Sequence, residues 1–412
     1  MRHEFDGAKP SGDAMAGPLD GVRVLDVSQV MAGAYCAALL ADMGADVIKV
    51  ERPAGDELRG WGADFPGGQS PAYMAVNRNK RGIALDLRDE RGAAALRSLS
   101  EGVDVLVENF RPGAMERLGC DYPSLATRNP ALVYCSISGF GQDGPLAGRG
   151  GYDLIAQGMS GIMSVTGEPG GELVKAGVPI CDLTAGMLAA NGVLAAYVYR
   201  LRSGEGQYVD TSLLEAGISL MVWESAVLFA TGQVAGPLGS QMRLAAPYEA
   251  FRTADGWLTV GTPNQRMWER LVKALESPGL GVDPRFAGPM SRMANRPSLT
   301  EQLQKKFLEH TTEQWMNILL PYGIPAGPVY DIGQVYSDPQ VRARRMLVEV
   351  EHPTAGPVKH IGVPVKFSRT PAVIDRPAPL LGEHTTDVLT EAGFSPSEIE
   401  TLLAAGVAKE EK

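Results

Sequence analysis

Short apolar, β-branched runs alternate along the first third of the chain with stretches whose apolar positions recur every three to four residues. Residues 22–27 and 47–51 have the first pattern and predict strands, while 33–43 between them predict a helix closed by Gly44. Strand, helix, strand at this length is a βαβ unit, which builds parallel sheet through a right-handed crossover. The alternation continues with strand 82–87, helix 91–99, strand 103–108, short helices near 115–118 and 122–128, and strand 132–138. A doubly wound, Rossmann-like α/β domain is the expectation.

Beyond Gly139 the rhythm changes. Glycine-rich segments at 139–145 and 148–153 precede an apolar helix over about 183–202, rich in Leu, Ala, Met and Val, which belongs deep in a core. A strand at 207–211 and an apolar helix over 213–230 follow. Residues 232–243 read as loop, and 248–260 alternate as a hairpin around Ala254, Asp255 and Gly256. Helices are predicted at 265–276, 297–309, 312–319, 385–391 and 396–404, with a strand at 361–367. The domain reading is a disordered lead-in at 1–17, a discontinuous large domain at 18–235 and 340–408, and a smaller α+β domain at 240–335.

The 412 residues carry a formal net charge of −10, which argues against a nucleic-acid or anionic-membrane partner. Cys36, Cys120, Cys135 and Cys181 are scattered without a close pair, so neither a disulfide framework nor a zinc site is expected. Residues 1–17 have no signal-peptide core, and the longest apolar stretch, 183–199, is broken by Thr184 and Asn191. A soluble, cytoplasmic protein is the expectation.

Asp182 stands immediately before the apolar helix, where an N-cap belongs. A lone Asp there most often only caps; alternatively, the helix N-terminus stabilises a carboxylate used as a nucleophile. Glu51, at the end of the second strand, stands where a dinucleotide fold places its ribose-binding acid. The turn at 28–34, however, has one glycine where the dinucleotide fingerprint needs three, which argues against NAD or FAD.

Seven strings, in order, resemble the class III CoA-transferases, the CaiB/BaiF or formyl-CoA transferase family. They are 19–26, 44–52, Asn77-Arg78-Asn79-Lys80-Arg81, Val107-Glu108-Asn109-Phe110, Gly151-Tyr152-Asp153, Tyr322-Gly323-Ile324-Pro325 and Leu381-Gly382-Glu383-His384-Thr385. The resemblance covers about 18–407. It implies that Asp182 is the nucleophile and that an acyl-CoA and a carboxylic acid are the substrates, with no permanently bound cofactor and no metal. An interlocked homodimer is also implied.

The same resemblance carries the CoA site onto Met31, Ala32, Arg52, Leu85, Asp86, Leu87, Arg88, Asn109, Phe110, Arg111, Arg117, Gly150, Gly151, Tyr152 and Asp153. Two departures stand out. Gly150 replaces a lysine found in a characterised relative, which makes the preceding Arg149 the substitute phosphate partner. Gln29 stands where the family often has His or Arg. The loop Gly236-Pro237-Leu238-Gly239-Ser240 is the loose match to a mobile glycine loop of the family, and His384 is given no catalytic role. The strings Arg149-Gly150-Gly151-Tyr152-Asp153 and Ala246-Pro247-Tyr248-Glu249-Ala250-Phe251 resemble the succinyl-CoA and dicarboxylate subgroup. The rival readings are an α-methylacyl-CoA racemase, which needs a histidine that 31–182 lack, and a CoA-binding scaffold without turnover.

Overall fold

Strands β1 (Arg23–Asp26), β2 (Asp46–Glu51), β3 (Lys80–Leu85), β4 (Val105–Glu108), β5 (Val133–Ser138) and β6 (Tyr208–Ser212) form one parallel sheet. The structure is a computed structural model that describes residues 17–62 and 66–411; most of the expected 1–17 lead-in lies outside them. With the late strand β12 (Ala408–Lys409) added antiparallel to β3, the order is β12-β3-β2-β1-β4-β5-β6. That is the Rossmann order, reversing direction between β1 and β4.

Strands β1, β4 and β5 are buried almost throughout, as a parallel sheet covered on both faces requires. One face carries the helices Ala32–Asp42 and Ile180–Ser203 over a core that includes Val24, Val107, Ile137, Cys181 and Val193. The other carries Glu90–Glu101, Thr385–Glu391 and Pro396–Ala404 over Leu25, Ile83, Leu96, Leu106 and Leu402. Gly186 lets the first two helices close up, because a Cβ there would meet the Ala32 carbonyl oxygen at 2.7 Å.

The chain divides into two compact units. One comprises Met1–Ile162, Lys175–Ala226 and Pro339–Lys412; the other comprises Met163–Val174 and Val227–Asp338. The second is α+β. Strands β7 (Tyr248–Arg252), β8 (Trp257–Gly261) and β9 (Ala326–Pro328) form an antiparallel sheet in that order. Helices Gln265–Ala274, Arg296–Phe307 and Thr312–Leu319 cover it around Phe251, Trp268, Phe307 and Trp315.

Four expectations are corrected. The strand expected at 361–367 is instead the tail of a hairpin, β10 (Leu347–His352) with β11 (Gly356–Ile361), after which Gly362 and Pro364 end the pairing. The helix expected at 213–230 breaks at Met221 into Leu213–Leu220 and Val222–Thr231, bent by 68°. The helix expected deep in the core buries only one stripe, leaving Met187, Val198, Tyr199 and Leu201 exposed. That helix also starts at Ile180, so Asp182 lies in its first turn and is not its cap.

Candidate active site

The strand order reverses between β1 and β4, so the loops after these two strands diverge and leave a crevice at their C-terminal ends. A cleft of about 260 Å³ opens there. Gln29, Val30, Met31 and Ala32 come from the turn after β1, and Asn109, Phe110, Arg111 and Pro112 from the loop after β4. Ser138 ends β5 and Gly139 follows it, Leu213 follows β6, and Arg149, Gly150, Gly151 and Tyr152 form a strap beside them. Gly139 and Gly151 are in backbone contact, a Cβ on Gly151 falling 2.7 Å from the Gly139 Cα, so neither position has room for a side chain.

Asp182 enters this cleft from the first turn of Ile180–Ser203. The capping work falls to a different residue: the Asp153 carboxylate accepts from the Cys181 N–H at 2.9 Å and from Gln157 Nε2 at 2.6 Å. Asp153 therefore turns onto the helix start and does not line the cleft, whereas Asp182 has no hydrogen-bond partner among the described residues. Burial, and then the Asp153 charge, push the Asp182 carboxyl up to about 7. A desolvated, unpartnered carboxyl on a helix N-terminus has the chemistry to act as a nucleophile or to exchange a proton.

The remaining expected residues fall mostly into a second cleft, of about 750 Å³, which shares Gln29 and Phe110 with the first. Arg52, Leu85, Asp86, Leu87, Arg88 and Arg117 line it, beside Pro53, Ala54 and Gly406. The fifteen residues carried over from the family, Arg149 and Asp182 are thus brought to two adjoining clefts, apart from Asp153. The loop 236–240 belongs to the second unit, where the Gly239 N–H donates to the Gly167 carbonyl at 2.8 Å.

Sequence reasoning missed Val30, Pro112, Ser138, Gly139 and Leu213, and noted Gln29 only as a departure from the family without placing it in the site. The available signal was positional, since each lies at or just past the C-terminal end of a parallel strand. Val30 has φ +60°, a left-handed conformation that a β-branched residue adopts only under constraint. Its N–H donates to Asp56 at 3.1 Å, and Asn109 clasps the preceding Gln29 backbone.

Beneath the same turn lies a fully buried network. Asp26 takes the Lys80 ammonium at 2.8 Å and the Ser28 hydroxyl, and Lys49 lies 3.8 Å from Asp26 and 3.6 Å from Asp56. Burial alone would push Asp26 up, but the two lysines and the hydrogen bonds outweigh it and hold its carboxyl below the usual range. Burial pulls Lys80 down to about 8 despite the Asp26 charge. Among the described residues no cluster of His, Cys, Asp and Glu is disposed to hold a metal ion.

A Rossmann-ordered sheet with two adjoining clefts at its switch point, the smaller holding one unpartnered carboxyl, defines a doubly wound α/β protein with its candidate site at the C-terminal ends of the strands. The model of CoA-transferase family III matches residues 19–385, and the chain belongs to that family of enzymes. The human succinyl-CoA:glutarate CoA-transferase is 36% identical over 392 residues, covering 95% of this chain and 90% of that protein. The succinyl-CoA:mesaconate CoA-transferase of Haloarcula marismortui is 40% identical over 386 residues, covering 92% and 97%. The crystal structure of a CaiB/BaiF family protein from Brucella suis superposes with a TM-score of 0.82 at 35% identity, covering 92% of this chain and all of that one.

Proposed function

We propose that the enzyme moves CoA from a short acyl-CoA donor, succinyl-CoA foremost, to a dicarboxylic acid acceptor through a thioester on Asp182. The observation that carries this reading is the unpartnered Asp182 carboxylate in a cleft that continues into a larger compartment lined by three arginines. The names of the relatives support the donor and the acceptor class.

In this mechanism a carboxylate oxygen of Asp182 attacks the donor carbonyl carbon. The C–S bond breaks, and CoA leaves as thiolate from a mixed anhydride. The thiolate then attacks the Asp182 carbonyl, releasing the donor acid as its carboxylate and leaving an aspartyl-CoA thioester. The acceptor carboxylate attacks that thioester, again expelling thiolate, which takes the acyl group and returns Asp182 as the free carboxylate. Each step exchanges bonds of similar free energy, and no proton is consumed.

The tetrahedral states carry developing negative charge, which backbone N–H groups in a dry cleft stabilise. Arg52, Arg88 and Arg117 suit the phosphates of CoA, a planar guanidinium being the natural partner of a phosphate group. The exposed apolar face of Ile180–Ser203 supports a homodimer that covers it. The four free cysteines, all buried, suit a reducing cytosol.

The test crosses a panel of acyl-CoA donors with mono- and dicarboxylates, read by mass spectrometry, with Asp182→Ala as control. New acyl-CoA from wild type and none from the variant supports the reading. Undiminished transfer by folded Asp182→Ala contradicts it, as does α-deuterium uptake from D₂O without an acceptor acid.

A further inference from the structure

The arginines of the two clefts are divided, and the division suggests two different ligands. Arg52, Arg88 and Arg117 line the large compartment; Arg111 and Arg149 line the small one with Asp182. Nothing about CoA itself requires cations beside the reacting carbon, since its charges lie at the far end of a long, neutral arm. A second carboxylate on the acid being activated does require one, because the same cleft desolvates it.

Arg111 is placed for that task by the missing side chain at position 150. A Cβ on Gly150 would lie 2.9 Å from Arg111 Nη2 and 3.3 Å from its Cζ, so the guanidinium lies over the bare backbone of the strap. Arg111 thus reaches the strap from the loop after β4, and Arg149, expected from the family resemblance to meet a phosphate, lines the Asp182 cleft beside it, away from the compartment of Arg52, Arg88 and Arg117. Arg149, on the strap itself, lies 5.8 Å over the Phe140 ring. Neither arginine has an ion-pair partner among the described residues. Glu57, the other acid of the cleft, is 3.9 Å from Arg52.

We propose that Arg111, supported by Arg149, binds the distal carboxylate of a short dicarboxylate and so selects diacids over monoacids. The proposal rests on the CoA-transfer reading above. Its electrostatics follow the reaction cycle. Free Asp182 repels a second anion, but Asp182 held as its CoA thioester is neutral, which leaves the two guanidiniums to attract the acceptor when it is needed.

The test compares glutarate with monomethyl glutarate as acceptors, two acids of nearly equal length that differ in the charge at the far end. In a ping-pong scheme kcat/KM for the acceptor reports only the half-reaction from the loaded enzyme, whatever the donor. Wild type is expected to prefer the diacid by about 100-fold, as for one charge-assisted, bidentate contact. Arg111→Met should compress that ratio at least tenfold, mainly through KM, and Arg111→Lys should restore part of it. Gly150→Ala, which removes no charge, should shift the ratio the same way by displacing the guanidinium. Arg117→Met should instead weaken both acceptors equally.

A wild-type enzyme that transfers CoA without preferring the diacid would overturn the proposal, as would a ratio unmoved in Arg111→Met and Arg149→Met. If wild type transfers CoA to no acid, the underlying reading has failed and this one falls with it.

Discussion

Asn109 and Gln29 are joined head to head. The Gln29 N–H donates to Asn109 Oδ1 at 2.7 Å, and Asn109 Nδ2 donates to the Gln29 carbonyl at 2.6 Å. One side chain thus ties the loop after β4 to the turn after β1, across the point where the sheet order reverses. The left-handed Val30 follows at once, so the clasp helps hold a strained turn at the mouth of both clefts.

Asn109→Ala leaves both Gln29 backbone groups without these partners and should cost about 2 kcal/mol of stability. Catalysis should suffer more, about 100-fold in kcat/KM, because releasing the turn misplaces the cleft wall by something near 1 Å. Asn109→Asp keeps the acceptor and loses the donor, so it should fall between. Thermal melts and steady-state kinetics on the three proteins check the order.

On the proposed mechanism, the raised Asp182 carboxyl sets the pH profile. Only the ionised form attacks, so kcat/KM for the acyl-CoA donor should fall about tenfold per pH unit below about 7 and level off above it. A profile flat down to pH 5 would mean that Asp182 is not the group that must ionise.

The same shift affects stability, with a definite sign. A carboxyl whose folded pKa exceeds its unfolded value of 3.8 is costly to ionise in the native state. The cost is absent below about pH 4, grows through pH 4–7 and is complete above. Discounted for the group's partial exposure, it amounts to about 1–2 kcal/mol, or ~2–4 °C. Asp182→Asn should therefore melt higher than wild type at pH 8 and no higher at pH 4, while losing activity.

Periodicity carried the fold well where strands are apolar throughout, as in β1, β4 and β5. It faltered where physics depends on distant partners. Lys80 opens β3 fully buried because Asp26 and the Asn77 side chain receive its ammonium, so a charge that reads as loop is strand. No proline or glycine marks the break at Met221. Asp182 looked like a cap because its neighbours along the chain offered no alternative; Asp153, some thirty residues earlier, supplies one only once the chain is folded. The candidate site was legible as a roster of residues through resemblance, but the roster gave neither its division into two clefts nor the Asn109 clasp.

The central claim is that Asp182 becomes covalently loaded. Enzyme mixed with acyl-CoA, quenched in acid and digested, should yield a CoA-bearing or acylated peptide spanning Asp182, lost on adding acceptor acid and absent from Asp182→Ala. Sustained transfer with that peptide unmodified, or with the adduct on another residue, would contradict it.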